Sequence, residues 1–232
     1  MRRILTTALL GLLLLPGIAG AQTPVTNQRL FDTIPNLPEL YARRVAQWEG
    51  EPVVTGRIIF LGNSITQGGE WGQLLGDSTV LNRGISGDIT YGVLKRLDEI
   101  TRRRPSKLFI LIGINDIGKD IPAAVIADNY HKIIREVQAQ SSAPQIYVQS
   151  VLPVDPDYPG FPQHYDKQHQ VDRVNRLLKH VAVTTNTTYV DLEPVFLDAR
   201  GHLDPRYTTD GLHLNEQGYR VWAEYLRKTG RL

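Results

Sequence analysis

The chain has 232 residues, 41% hydrophobic and 22% charged, with no cysteine and one methionine, an ordinary globular composition. Without cysteine there is no disulfide, no thiolate nucleophile and no Cys-ligated zinc or iron–sulfur cluster. The 26 Lys and Arg residues against 24 Asp and Glu leave a formal charge of +2, which gives no electrostatic case for a nucleic-acid partner.

Met1-Arg2-Arg3 is a short basic start, Ile4 to Leu15 is almost wholly apolar, and Ala19-Gly20-Ala21 has the small-x-small form of a cleavage site. The segment 1–21 is therefore expected to be a signal peptide cut after Ala21, leaving a periplasmic or secreted protein. The apolar run is shorter than the roughly 20 residues a spanning helix needs, so no stable membrane anchor is expected. Cleavage removes Arg2 and Arg3 and no acid, which leaves a mature chain of zero formal charge and a partner that is small or neutral. Residues 22–232 suffice for one domain, with 22–50 an N-terminal extension carrying a single helix over Leu37–Trp48.

Five short apolar runs follow: Arg57–Leu61, Thr79–Asn82, Lys107–Ile112, Gln145–Val151 and Thr188–Asp191. Their near-continuous hydrophobicity suits strands buried on both faces. Between them, apolar residues recur at helical spacing over Thr90–Arg103, Pro122–Gln140 and Gln168–Val183. The chain closes with a helix over Asn215–Lys228, with Asn215 as its N-cap. This alternation predicts a parallel sheet covered on both faces by helices. Two loops interrupt it, Pro153–Gln163 with four prolines and Glu193–Thr209.

In an open parallel sheet, ligands sit beyond the carboxyl ends of the strands. The first three strands are followed by Gly62-Asn63-Ser64-Ile65, Arg83-Gly84-Ile85-Ser86-Gly87-Asp88 and Gly113-Ile114-Asn115-Asp116. Asp210-Gly211-Leu212-His213 precedes the last helix. Singly, these are turn glycines and helix caps. Together they make a hydrolase set. A Ser64 hydroxyl needs a base, His213 can take its proton, and Asp210, three residues away, can fix the imidazole tautomer. The Ser64 and Gly87 N–H groups and the Asn115 amide supply three donors for an oxyanion.

These four ordered blocks resemble those of the SGNH hydrolases, also called the GDSL esterase/lipase family, over residues 58 to 213. The resemblance implies a flavodoxin-like three-layer α/β/α sandwich with a five-stranded sheet in the order 2-1-3-4-5. It implies Ser64, His213 and Asp210 as nucleophile, base and acid. Ser64, Gly87 and Asn115 would form the oxyanion hole, and ester hydrolysis would run through an acyl-enzyme with no metal or cofactor. Asn63 stands where the family name has Asp; that position is outside the triad, and Asn63 is expected to hydrogen-bond across the blocks. Ser86 and Ser150 also follow strands but lack a matching block.

The second block most resembles the branch holding platelet-activating-factor acetylhydrolase catalytic subunits and bacterial carbohydrate acetylesterases. For an exported enzyme this favours O-acetyl esters of carbohydrate, by analogy. Asn63, Asp88, Trp71, Tyr158, Phe161 and Tyr207 are candidates to line the substrate. A lipid-type esterase would want an apolar 153–163 loop, but Asp155, Asp157, Gln163 and His164 lie in or beside it. A glycan-binding module would not need Ser64, Asp210 and His213 intact. Asp116 is expected to cap a helix, His164 and His169 to be solvated rather than metal-binding, and Arg102-Arg103-Arg104 to face the helix dipole and water.

Overall fold

The computed structural model describes residues 37–141 and 143–232; the expected leader and residues 22–36 of the extension lie outside them. Five parallel strands, β1 (Ile58–Gly62), β2 (Leu81–Gly84), β3 (Lys107–Leu111), β4 (Gln145–Gln149) and β5 (Thr188–Val190), form one sheet in the order β2-β1-β3-β4-β5. The order and direction agree with the expected fold, and each strand lies within two residues of its expected span at either end. The ten α-helices of the described residues are α1 (Pro38–Glu49), α2 (Ser64–Gln67), α3 (Trp71–Leu75), α4 (Thr90–Lys95) and α5 (Leu97–Thr101), then α6 (Ile114–Gly118), α7 (Ala123–Gln140), α8 (Gln168–Thr184), α9 (Glu193–Phe196) and α10 (Glu216–Lys228).

The two faces of the sheet are packed differently, because successive strand residues point to opposite sides. On one face Phe60, Phe109 and Tyr147 occupy matching positions on β1, β3 and β4, and their rings stack at 4.6 Å spacings. Trp71 of α3 lies flat on Phe60 at 3.8 Å, and Trp222 of α10 meets Trp71 edge-on at 4.8 Å. Full burial of each such ring contributes about 2–3 kcal/mol. The alternate residues Ile59, Leu61, Leu108, Ile110 and Val148 are also fully buried and form the aliphatic face. The buried stripe Ile126, Tyr130, Ile133, Ile134 and Val137 belongs to α7, which packs against α4, α5 and α8.

The expected helix over Thr90–Arg103 is two helices, broken at Arg96, whose backbone leaves helical geometry at φ −112°, ψ 16°. The break coincides with burial of the Arg96 side chain among the ends of β1 and β2. The short α2 and α6 begin directly beyond β1 and β3, within the two blocks that carry Ser64 and Asn115. At the end of β2, Gly84 comes so close to α2 that a Cβ would lie 2.2 Å from the Gln67 nitrogen. Only glycine permits that approach, which draws the loop after β2 against the helix carrying Ser64.

Candidate active site

Ser64 is the first residue of α2. Asn63 caps that helix, its Oδ1 accepting the Ile65 N–H at 3.0 Å. The expected bond from Asn63 across the blocks is replaced by this local one, which needs only an amide oxygen; that is why Asn serves where the family has Asp. Ser64 Oγ lies 2.9 Å from His213 Nε2, and His213 Nδ1 lies 2.7 Å from Asp210 Oδ2. The other Asp210 oxygen accepts the Leu212 and His213 N–H groups at 3.0 and 2.7 Å. Partial burial pushes the Asp210 carboxyl up. The bonds from the His213 N–H and ring and from the Leu212 N–H outweigh it, so the carboxyl is held below its ordinary range and ionised. An ionised carboxylate only accepts, so the imidazole proton sits on Nδ1 and Nε2 offers a lone pair to the serine.

The turn that carries both groups is closed on itself. Thr208 and Leu214 form an antiparallel bridge, Thr208 Oγ1 donates to the His213 carbonyl at 2.7 Å, and Gly211 turns the chain at φ +80°. The proline-rich loop then grips it from outside. The Asp155 N–H donates to the Gly211 carbonyl at 2.8 Å, Tyr158 packs where a Gly211 side chain would stand, and Phe161 meets the His213 ring edge-on at 5.2 Å.

The donors are organised from the other side. Gly87 adopts φ +77°. Its neighbour Ser86 donates its N–H to Gln67 Oε1 at 2.8 Å, tying the loop to α2. The Asp88 carbonyl accepts one hydrogen of the Asn115 amide at 2.9 Å, tying the loop to α6 and leaving the second amide hydrogen free. Neither the Ser64 nor the Gly87 N–H has an acceptor among the described residues. Uncommitted N–H groups of this kind are the donors that an oxyanion needs.

Several expectations are corrected here. Asn63 and Asp88 are wholly buried and Trp71 is 1% exposed, so none of them lines substrate; Asp88 pairs with Arg96 and Trp71 is core. Tyr207 braces the turn instead, edge-on to Phe196 with the Arg206 guanidinium over its ring. Tyr158 and Phe161 do reach the triad turn. Asp116 is buried and caps α4 rather than its own helix, accepting the Thr90 N–H at 3.0 Å and the Thr90 hydroxyl at 2.5 Å. Burial pushes its carboxyl up to about 7. His164 is 3% exposed, not solvated, and is packed against Gly118 of α6. Burial, with Lys167 and His213 nearby, pushes its imidazole down to about 4. Arg103 is buried between Glu99 and Glu51 rather than turned to water. Ser150 is buried and accepts the Leu192 N–H. His169 is exposed.

Sequence reasoning missed Arg96 and Gln67: Arg96 reaches the Gly62 and Arg83 carbonyls and Gln67 the Ser86 N–H, contacts that leave no local pattern. A cleft of about 640 Å³ opens between the end of α2 and the start of α10, lined by Gly68, Glu70, Leu214, Glu216, Tyr219 and Arg220. It adjoins the segments that carry Ser64 and His213. No described helix is long and apolar enough to cross a membrane.

The GDSL-like lipase/acylhydrolase family model matches residues 60–221, which span all four blocks. The chain belongs to that family, and with it to the hydrolases of carboxylic esters. Among curated relatives, the acetylxylan esterase of Geobacillus stearothermophilus is 26% identical over 160 residues, covering 65% of this chain and 72% of the relative. The platelet-activating factor acetylhydrolase IB subunit alpha1 of Bos taurus is 27% identical over 170 residues, covering 70% and 69%. A solved Streptococcus pneumonia structure of the platelet-activating-factor kind is 30% identical and superposes with a TM-score of 0.76, covering 83% of this chain and 94% of that one.

Proposed function

We propose that the protein is a serine esterase that removes small acyl groups, O-acetyl foremost, from carbohydrate. The observation that carries this reading is the unbroken chain of hydrogen bonds from Asp210 through His213 to Ser64, beside three free N–H donors. His213 Nε2 takes the Ser64 proton as Oγ adds to the ester carbonyl. The Ser64 and Gly87 N–H groups and the Asn115 amide hold the resulting oxyanion. The imidazolium, stabilised by Asp210, then protonates the departing alcohol, and water activated by the same imidazole frees the acyl group from Ser64.

The substrate class rests on likeness and on the surroundings of the triad. The acetylxylan esterase and the acetylhydrolase subunit both act on acetyl groups by name. Tyr158 and Phe161 offer ring surface beside His213, where the leaving alcohol departs. We further propose that residues 1–21 direct export and are removed after Ala21, which N-terminal sequencing of the secreted protein checks.

The test is hydrolysis of p-nitrophenyl esters and of acetylated xylo-oligosaccharides. The wild type should prefer acetate over octanoate and release acetate from the oligosaccharide. Ser64→Ala should lose on the order of 10⁴-fold or more in kcat. Equal activity of the two proteins would remove Ser64 from the mechanism, and a preference for octanoate would replace the carbohydrate reading with a lipid-type one.

A further inference from the structure

The helix α1 lies ahead of the region that the family model matches, yet its one buried residue reaches the catalytic machinery. Trp48 is 3% exposed. Its ring faces two guanidiniums, with Arg83 Cζ 4.9 Å and Arg96 Cζ 5.4 Å from the centroid. Its carbonyl accepts from Arg102 Nη2 at 2.8 Å and Arg103 Nη2 at 3.0 Å, and Tyr41 Oη donates to the Gly92 carbonyl, so α1 is strapped down at both ends.

Arg96 is the guanidinium that matters. It donates to Asp88 Oδ2 through Nε at 3.0 Å and Nη2 at 2.9 Å, to the Gly62 carbonyl at 3.2 Å and to the Arg83 carbonyl at 3.0 Å. Gly62 ends β1 two residues before Ser64. Asp88 follows Gly87, and its carbonyl orients the Asn115 amide. One buried cation thus joins the segments that present all three oxyanion donors. Its remaining nitrogen, Nη1, is buried and makes no hydrogen bond, which leaves the indole face as the group that compensates the guanidinium there.

We propose that Trp48 is a positioning residue for the reaction: by stacking on Arg96 it fixes that guanidinium, and through it the Ser64 and Gly87 N–H groups and the Asn115 amide in the geometry that receives the oxyanion. The inference rests on the esterase reading above. It assigns a catalytic consequence to a helix outside the matched core, which the sequence shows only as a single helix in an N-terminal extension. Because oxyanion donors act on the transition state rather than the ground state, the effect belongs in kcat and not in KM.

Trp48→Leu keeps apolar bulk but has no ring face; Trp48→Phe keeps a smaller one. Both are assayed on p-nitrophenyl acetate, with circular dichroism showing the fold intact at the assay temperature. The expected result is a drop in kcat of about tenfold for Trp48→Leu with KM within about twofold, and recovery of most of the loss in Trp48→Phe. If Trp48→Leu does not fold, Trp48→Met, whose flexible unbranched side chain adapts to the site without a ring, carries the same comparison. A folded Trp48→Leu with wild-type kcat overturns the proposal, as does a loss that Trp48→Phe does not recover or one that falls on KM. Ser64→Ala separates the two levels. If wild-type turnover depends on Ser64, a negative Trp48 result overturns only this inference. If it does not, the esterase reading is overturned and this inference goes with it.

Discussion

The two halves of the site are built in opposite ways. The donor half, comprising the ends of β1 and β2, the Gly87 loop and α6, is buried and held by a fully desolvated Arg96–Asp88 pair and a fully buried Asp116. The acid–base half is a self-closed turn at the surface. His213 and Asp210 each keep roughly a third of their side-chain surface exposed, and the proline-rich loop that grips the turn is tied down by Arg200 reaching Asp157 and Asp198 in water. A single hydrogen bond, from Ser64 to His213, closes the chain between them. The division matches the demands on each half. Donors stabilise a transition state only if they need no reorganisation, which buried charge enforces. The acid–base pair must exchange protons with substrate and water, which exposure permits.

That contrast can be broken most sharply at Asn115. Asn115→Ala removes one preorganised donor and should lower kcat about 10²–10³-fold with little change in KM, measured on p-nitrophenyl acetate. A purely KM effect would place Asn115 in ground-state binding.

Asp116 sharpens the comparison through stability. Its folded-state carboxyl is raised by burial to about 7 from an ordinary value of 3.8. A group raised in this way contributes stability that is fully present below the unfolded value and is lost as pH rises through the folded one. Across pH 4 to 7 that loss is on the order of 4 kcal/mol. Asp116→Asn keeps an acceptor for Thr90 without the charge. Its urea unfolding free energy should therefore gain on the wild type as pH rises from 4.5 to 7.5, and a gap that does not change with pH would contradict the assignment.

The smallest effect is expected on the other half. Arg200→Ala removes exposed ion pairs to Asp157 and Asp198 and a longer one, at 3.7 Å, to the buried Asp155, so kcat should stay within about twofold and the thermal midpoint should fall only slightly. A large loss would mean that the proline-rich loop depends on Arg200 for the position of His213.

The difference between the halves also decides what the sequence could reveal. The strands were legible because both faces of the sheet are buried, which leaves uninterrupted apolar runs such as Ile58–Leu61. The hydrogen-bonded set of Ser64, His213 and Asp210 was legible because each block is local: Asp210 and His213 share one turn, and Ser64 directly follows its cap. The buried support was not legible. Arg96 and Arg103 sit in a segment that reads as one amphipathic helix, and their partners Gly62, Glu51 and Trp48 lie dozens of residues away. The break at Arg96 was hidden for the same reason, since apolar spacing continues across it. Trp71 was misplaced at the substrate because spacing says that a ring is near a block and not which way it faces. The five-residue α6 is too short to show a period, so burial of His164 against Gly118 gave no signal.

The most direct test of the account is to identify the residue that carries the acyl group. The protein is treated with a fluorophosphonate ester, digested and mapped by mass spectrometry. The account predicts one adduct, on Ser64, with labelling slowed by orders of magnitude in His213→Ala, where the serine has lost its base. An adduct on any other serine, or equal labelling of Ser64 without His213, would contradict it.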